Sequence, residues 1–311
     1  MGFSRSRIRV TTWLAFATAM DRFVSLSLSA HQVDAFQGIS NLPRDHQAHT
    51  TVESGKSRRD FLQQTVAGGT VLVAPWSMSA PVAALSPEEA ATAYNSYASS
   101  YDDLDGGKAS TLLGIDQARA SLFSKASGKV LEIGAGTGLN LNKYNPSKLT
   151  SLTLLDISQG MLDQAKKRFQ EDPNLGGSKW DNVSVSFVQA DATSELVSSF
   201  GAGSMDTVVD SFSFCVMGTE GAAKCLRQMA QIVKPGTGRL LLLENARSDN
   251  PLLGKYQDAT ATAAASAGGK GCVYNQNVRA IIEATPGLKV EREEAFAAGL
   301  FRSFECSVQL L

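Results

Sequence analysis

The chain has 311 residues, 43% apolar and 19% charged, so it can bury one large core and is not a disordered polyelectrolyte. Its formal charge of −1 hides an asymmetry: residues 1–84 carry 8 Lys+Arg against 5 Asp+Glu, residues 85–311 carry 21 against 25, and so mildly acidic a body argues against a nucleic-acid groove. His31, His46 and His49 all lie near the start, which excludes a histidine metal site or a Ser-His-Asp triad from the body.

Residues 1–84 read as a targeting leader. A basic start, "MGFSRSRIR", precedes the short apolar run "VTTWLAFATAM", and "FVSLSLSAHQVDAF" follows Asp21 and Arg22. The step from Ala35 into Phe36 resembles the two-part leader of complex plastids; a mitochondrial presequence is the alternative on composition. In "SRRDFLQQTVAGGTVLVAPWSMSAPVAA", Arg58-Arg59, then Phe61-Leu62 and a Gly-containing apolar run, resemble a twin-arginine transfer signal, which inside an organelle leader points to the thylakoid of a chloroplast. The other reading is an uncleaved segment associated peripherally with a membrane, because Gly68, Gly69, Pro75 and Pro81 interrupt it too often for a spanning helix.

Residues 85–128 read as lid helices. Ser86, Pro87 and Glu89 form a capping-box pattern that opens a helix carrying Tyr94, Tyr97 and Tyr101, and residues 108–124 continue as a second helical stretch interrupted at Gly114. From residue 129 to 311, strand patterns alternate with helical ones. "KVLEIG" leads into "LNLNKY", "LTLLDIS" into "QGMLDQAKKRFQED", "VSVSFVQA" into "TSELVSSF", and "MDTVVDSF" into "TEGAAKCLRQMAQIV"; "GRLLLLEN" precedes an Ala- and Gly-rich insert read as a loop or soft helix. After "NQNVRAIIEA", the alternating "LKVEREEA" and "FRSFECSVQL" have no helix between them. The expectation is an α/β, doubly wound, seven-stranded sheet, mostly parallel, with a C-terminal antiparallel strand and helices on both faces. Cys215, Cys225, Cys272 and Cys306 show no CxxC pairing and are expected as free thiols.

Gly134, Gly136 and Gly138 in "VLEIGAGTGLNL" occupy the turn after the first strand, where backbone amides and a helix N-terminus would face a ligand. A dinucleotide fingerprint would need its third glycine at position 139, which is Leu139. The spacing instead resembles the class I S-adenosylmethionine-dependent methyltransferases. Asp156 ends the second strand, where a carboxylate can accept from both hydroxyls of a ribose. "YDDLDGG", "DTVVDSFSFC", "KPGTGRLLLLENARS" and "GKGCVYNQNVRAII" resemble the type 11 group related to quinone methyltransferases and organellar methyltransferase-like proteins. The resemblance spans residues 86–310 and implies S-adenosylmethionine as cofactor. It implies that Glu132, Gly134, Ala135, Gly136, Gly138, Asp156, Ile157 and Met161 bind that cofactor, with Asp191 and Ala192 at the adenine. Many relatives have His-Gly where this chain has Asn245-Ala246, so any role for that histidine as a base does not carry over.

Methyl transfer is an in-line displacement, and a base is needed only when the acceptor must lose a proton. The candidates are Asp210, Glu244, Tyr97 and Tyr101, with the tyrosines read equally well as a packed helix stripe. An acceptor is expected above the fourth and fifth strands, with Phe212, Phe214 and Arg247 on its walls, the opening helix as roof and residues 255–275 as a side. Two classes stay open: a methyltransferase acting on a small molecule (quinone-like, phenolic or thiol), and a cofactor-binding assembly or scaffold protein without turnover.

Overall fold

The computed structural model of the chain describes residues 84–102, 108–175, 179–267 and 271–309. The targeting leader expected over residues 1–84 lies outside the described residues apart from its last position. The elements are α1 (Pro87–Tyr97), α2 (Lys108–Leu112), α3 (Ile115–Phe123), β1 (Gly128–Ile133), β2 (Leu149–Asp156), α4 (Gln159–Glu171), β3 (Ser184–Gln189) and α5 (Leu196–Phe200). Then come β4 (Thr207–Ser211), α6 (Phe214–Ile232), β5 (Arg239–Asn245), α7 (Pro251–Ala267), α8 (Val278–Glu283), β6 (Leu288–Phe296) and β7 (Phe301–Val308).

The sheet order is β3-β2-β1-β4-β5-β7-β6. β1 to β5 are parallel, β7 runs antiparallel to β5, and β6 runs antiparallel to β7. This is the expected seven-stranded sheet with its late reversal. Reversing order between β1 and β4 places the switch point between their carboxyl ends, where such sheets bind ligands.

Strand alternation divides the core into two layers. Leu131, Ile133, Val208, Leu240 and Leu242 face Leu196 of α5, Leu226 and Met229 of α6, and Ile281 and Ile282 of α8. Val130, Leu152, Leu154, Val209, Leu241 and Leu243 face Leu122 and Phe123 of α3 and Leu162 and Ala165 of α4. The unbroken Leu240–Leu243 run is buried on both faces, as a central strand requires, and each leucine contributes about 1.5–3 kcal/mol. At one edge, β6 carries Lys289, Glu291, Arg292, Glu293 and Glu294, charges that oppose pairing with another sheet.

Local chemistry explains the ends. Ser86 caps α1 in a capping box: its hydroxyl accepts from Glu89 N at 3.2 Å and its own N donates to Glu89 Oε2 at 2.8 Å. Gly114, at φ 78, separates α2 from α3 where the sequence places the break. Two expectations change and one open alternative closes. The stretch after the glycine turn is not an α-helix but two 3-10 turns, Leu141–Lys143 and Pro146–Lys148, because Pro146 lacks the amide an α-helix would use there. The Ala-rich insert is mostly helix, α7, since alanine is the strongest helix former. Finally, Cys215 and Cys272 are not free: their Cα atoms lie 4.6 Å apart and they form a disulfide, because Val273 N donates to Cys215 O at 2.8 Å and brings the two segments together. Cys225 and Cys306 are free and buried.

Candidate active site

The three glycines of the turn after β1 all have positive φ, 58°, 54° and 77°, for different reasons. A Cβ at Gly134 would lie 2.6 Å from Ser213 Cβ, and one at Gly138 would lie 2.8 Å from Leu141 Cδ1 and 3.2 Å from Ala165 Cβ, so these two serve packing. A Cβ at Gly136 would meet no protein atom within 4 Å. Gly136 therefore leaves a clear side on the turn, a cradle that a side chain would fill. Buried Ala135 donates its N–H to Leu155 O at 3.0 Å, fixing the turn to β2.

The Asp156 carboxylate faces the turn, with Oδ2 accepting from Gly136 N and Oδ1 from Ser158 N, each at 2.8 Å. Burial pushes its pKa up to about 6, opposed by the N–H groups of Ser158, Gly136 and Ile157. Ile157 is half-buried beside it, whereas Met161 is buried under the turn and joins the cap, its N donating to Ser158 Oγ at 3.1 Å. Glu132 lies deeper: fully buried, it accepts from Asn140 Nδ2 at 2.7 Å and from Tyr144 OH at 2.8 Å. Burial raises it to about 7. After β3, Asp191 accepts from Thr193 N at 2.8 Å and from the hydroxyls of Thr193 and Ser194 at 2.9 Å each, while Ala192 is buried in the α6-side layer. A clear-sided glycine amide beside a buried carboxylate at the switch point fits the sugar and amino-acid parts of S-adenosylmethionine.

On the acceptor side the structure separates the expected residues. Asp210 and Glu244 end β4 and β5 on the α6 face and are fully buried. Asp210 Oδ2 accepts from Ser213 Oγ, Glu244 Oε1 accepts from Phe214 N at 3.5 Å, and the two carboxyls are hydrogen-bonded to each other. Burial raises both pKa values, and the neighbouring Asp210 charge raises Glu244 further, so the pair keeps a proton between its two carboxyls. Phe214 is not a pocket wall: it is completely buried between α6 and the sheet, because the first turn of α6 points it inward. Arg247 is not one either; its guanidinium forks onto Asp258 of α7, with Nε 2.9 Å from Oδ1 and Nη2 2.8 Å from Oδ2.

Phe212 stays at the carboxyl end of β4, half-buried, at φ 63, a conformation a bulky residue adopts only under constraint. Arg119 of α3 lies 5.3 Å from its ring centroid, and Phe301 packs edge-on at 5.9 Å. On α1, the Tyr94 ring lies 5.1 Å from Tyr97 and 6.3 Å from Tyr101, so the tyrosine stripe is a mutual cluster. Among the described residues no group of three or more His, Cys, Asp or Glu could hold a metal ion.

The sequence reading names none of Asn95, Asp102, Thr137 and Arg168, which hydrogen-bond at the turns after β1 and β2, nor Asn140 and Tyr144, which hold Glu132. Thr137, a polar residue enclosed by two glycines, is the one with a local signal.

Residues 130–236, β1 to just beyond α6, match the family model described as a methyltransferase domain. The match covers the turns after β1, β2 and β3 and stops before β5, α7 and the β6–β7 pair. A mitochondrial methyltransferase of Saccharomyces cerevisiae is 29% identical over 150 residues, 45% of this chain and 30% of that protein. A ubiquinone/menaquinone biosynthesis C-methyltransferase of Ectopseudomonas mendocina is 33% identical over 132 residues, 42% of this chain and 46% of that protein. The chain thus spans less than half the length of these relatives. Among solved structures, a S-adenosylmethionine-dependent methyltransferase from Leishmania major superposes with a TM-score of 0.51 at 15% identity, covering 71% of this chain and 82% of that one. An O-methyltransferase family protein from Burkholderia thailandensis gives 0.51 at 18% identity, covering 68% and 59%. The sheet thus shares the fold of these solved methyltransferases, and residues 130–236 match the methyltransferase-domain model.

Proposed function

We propose that this protein transfers a methyl group from S-adenosylmethionine to a small-molecule acceptor. The observation that carries this reading is the clear side of Gly136 next to the Asp156 carboxylate, inside the stretch that matches the methyltransferase domain. When bound, the cofactor supplies a methyl group on a sulfonium, open to in-line displacement. Asp156 would accept from the ribose hydroxyls, Asp191 and Ala192 would border the base, and Tyr97 and Tyr101 would offer the edge of their cluster with Tyr94 to the cation. The Asp210–Glu244 pair handles the proton of an acceptor that must lose one, and Phe212 lines the acceptor.

Of the three acceptor classes, the quinone methyltransferases among the relatives favour a quinone-like ring over a phenol or a thiol. Incubating the full chain with methyl-labelled donor and one acceptor of each class tests this: label in the quinone-like compound supports it, and label confined to the others refutes the preference. One observation favours the second reading, a cofactor-binding scaffold: Phe214 and Arg247 are spent on packing and an ion pair rather than on a pocket. Saturable binding of S-adenosylhomocysteine with no label transfer to any acceptor would select it.

The leader reading and the mitochondrial yeast relative together favour an organelle, with the mitochondrion preferred to the chloroplast and its thylakoid. Fractionation of source cells with N-terminal sequencing of the native protein decides between them. No described helix is long and apolar enough to cross a membrane.

A further inference from the structure

Two side chains at the ends of the opening segment reach both turns that border the cofactor cradle. Asn95, on α1, accepts through Oδ1 from Ser158 Oγ at 2.7 Å and from Gly160 N at 2.8 Å. Ser158 is also the residue whose N–H holds Asp156 Oδ1. The helices meet closely there, since a Cβ at Gly160 would lie 3.1 Å from Asn95 Oδ1 and 3.4 Å from Ala98 Cβ. At the other end, Asp102 accepts from Thr137 Oγ1 at 2.5 Å, inside the glycine turn. Arg168 of α4 joins the two: its Nη2 pairs with Asp102, and its Nε donates to Thr137 O at 2.8 Å. The opening segment is therefore fastened at one point to the turn after β2 and at another to the turn after β1, on either side of the Gly136–Asp156 contact.

We propose that Asn95 and Asp102 form a two-point latch that gates exchange of the cofactor. The proposal rests on the cofactor reading above. The latch ties the opening segment to both turns that border the cradle, so entry and departure both require it to open. Both residues act through Ser158 and Thr137 and are positioning residues, not catalytic ones. Asp102 makes an ion pair and a charge-assisted hydrogen bond, and Asn95 makes two hydrogen bonds. Losing either set lowers the opening barrier and should speed exchange about tenfold. A residue that merely shaped the turns would behave differently: its loss would speed departure and weaken affinity without speeding entry.

The test is stopped-flow binding of S-adenosylhomocysteine to the full chain, wild type against Asn95→Ala and Asp102→Asn, two partly exposed positions whose replacement leaves the core intact. The expected result is that association and dissociation rates rise together, about tenfold, with a smaller change in Kd. Hydrogen exchange on the ligand-free variants should show faster exchange over residues 87–102 and unchanged protection in β1, β4 and β5. Rates within twofold of wild type, or faster dissociation with unchanged association, overturn the latch. No saturable binding by the wild-type chain overturns the cofactor reading and the latch with it.

Discussion

The Gly136 amide and the Asp156 carboxylate meet at 2.8 Å, so the turn after β1 and the end of β2 are joined through the acid proposed for the ribose. Each carboxylate oxygen keeps a further lone pair for a ligand only while the group is ionised. With the pKa of Asp156 lifted to about 6 by burial, affinity for S-adenosylhomocysteine should be level above pH 7 and fall about tenfold per unit below pH 6. Calorimetric titration from pH 5 to 8 checks this, and Asp156→Asn should bind weakly with no such slope.

Glu132 makes a separate prediction about stability. Its folded pKa, about 7, is raised above the ordinary 4.5 because ionising it in the core is costly. The folded state then binds the proton more tightly than the unfolded chain, and this contribution is full below about 4.5 and lost as pH rises through about 7. Glu132→Gln carries no such charge, so its unfolding temperature relative to wild type should be higher at pH 8 than at pH 5. Scanning calorimetry at the two pH values measures the difference; a difference of the opposite sign would show that Glu132 is stabilised as the anion.

The glycines of the turn should separate into fold and ligand roles. Gly134→Ala drives a Cβ into Ser213 at 2.6 Å and should lower the melting temperature sharply. Gly136→Ala meets no protein atom and should cost about 1–2 kcal/mol for its left-handed backbone, while weakening S-adenosylhomocysteine binding by at least about tenfold. Melting curves and calorimetry on both variants resolve the two effects, and equal binding by Gly136→Ala would move the ligand away from the turn.

Phe214 and Phe212 should likewise diverge. Phe214→Ala removes a fully buried ring and should cost about 3–5 kcal/mol in denaturant unfolding. Phe212→Ala, at a half-buried ring, should cost less and show its main effect in acceptor turnover. A larger stability loss at Phe212 than at Phe214 would reverse this assignment.

The Cys215–Cys272 bridge closes a loop with a sequence separation of 57. Non-reducing peptide mapping should recover the cross-linked pair. Cys272→Ser should lower stability by about 2–4 kcal/mol under oxidising conditions and leave it nearly unchanged against reduced wild type.

What the sequence made legible was what local chemistry decides. The capping box at Ser86, the break at Gly114 and the alternation of strands with helices all depend on residues near one another in the chain. The disulfide was not legible, because it depends on α7 folding back so that residue 273 reaches the start of α6. Phe214 and Phe212 stand two apart in one motif, yet the left-handed Phe212 turns the chain between them, and no side-chain pattern announces that. Asn95 and Asp102 were invisible for the same reason: their partners lie 63 and 35 residues away.

The 3-10 turns that replace a helix after Gly138 have an electrostatic consequence. An α-helix starting there would place about half a positive charge at the mouth of the turn, the feature that holds the diphosphate of a dinucleotide. Here the turn offers only neutral amides, and the buried groups behind it are the acids Asp156 and Glu132. A diphosphate would bring its negative charges to a mouth with no compensating dipole, whereas a ligand carrying a sulfonium brings a cation into acidic surroundings. The two 3-10 turns thus set the charge preference of the mouth through backbone shape alone, favouring a cation over a diphosphate.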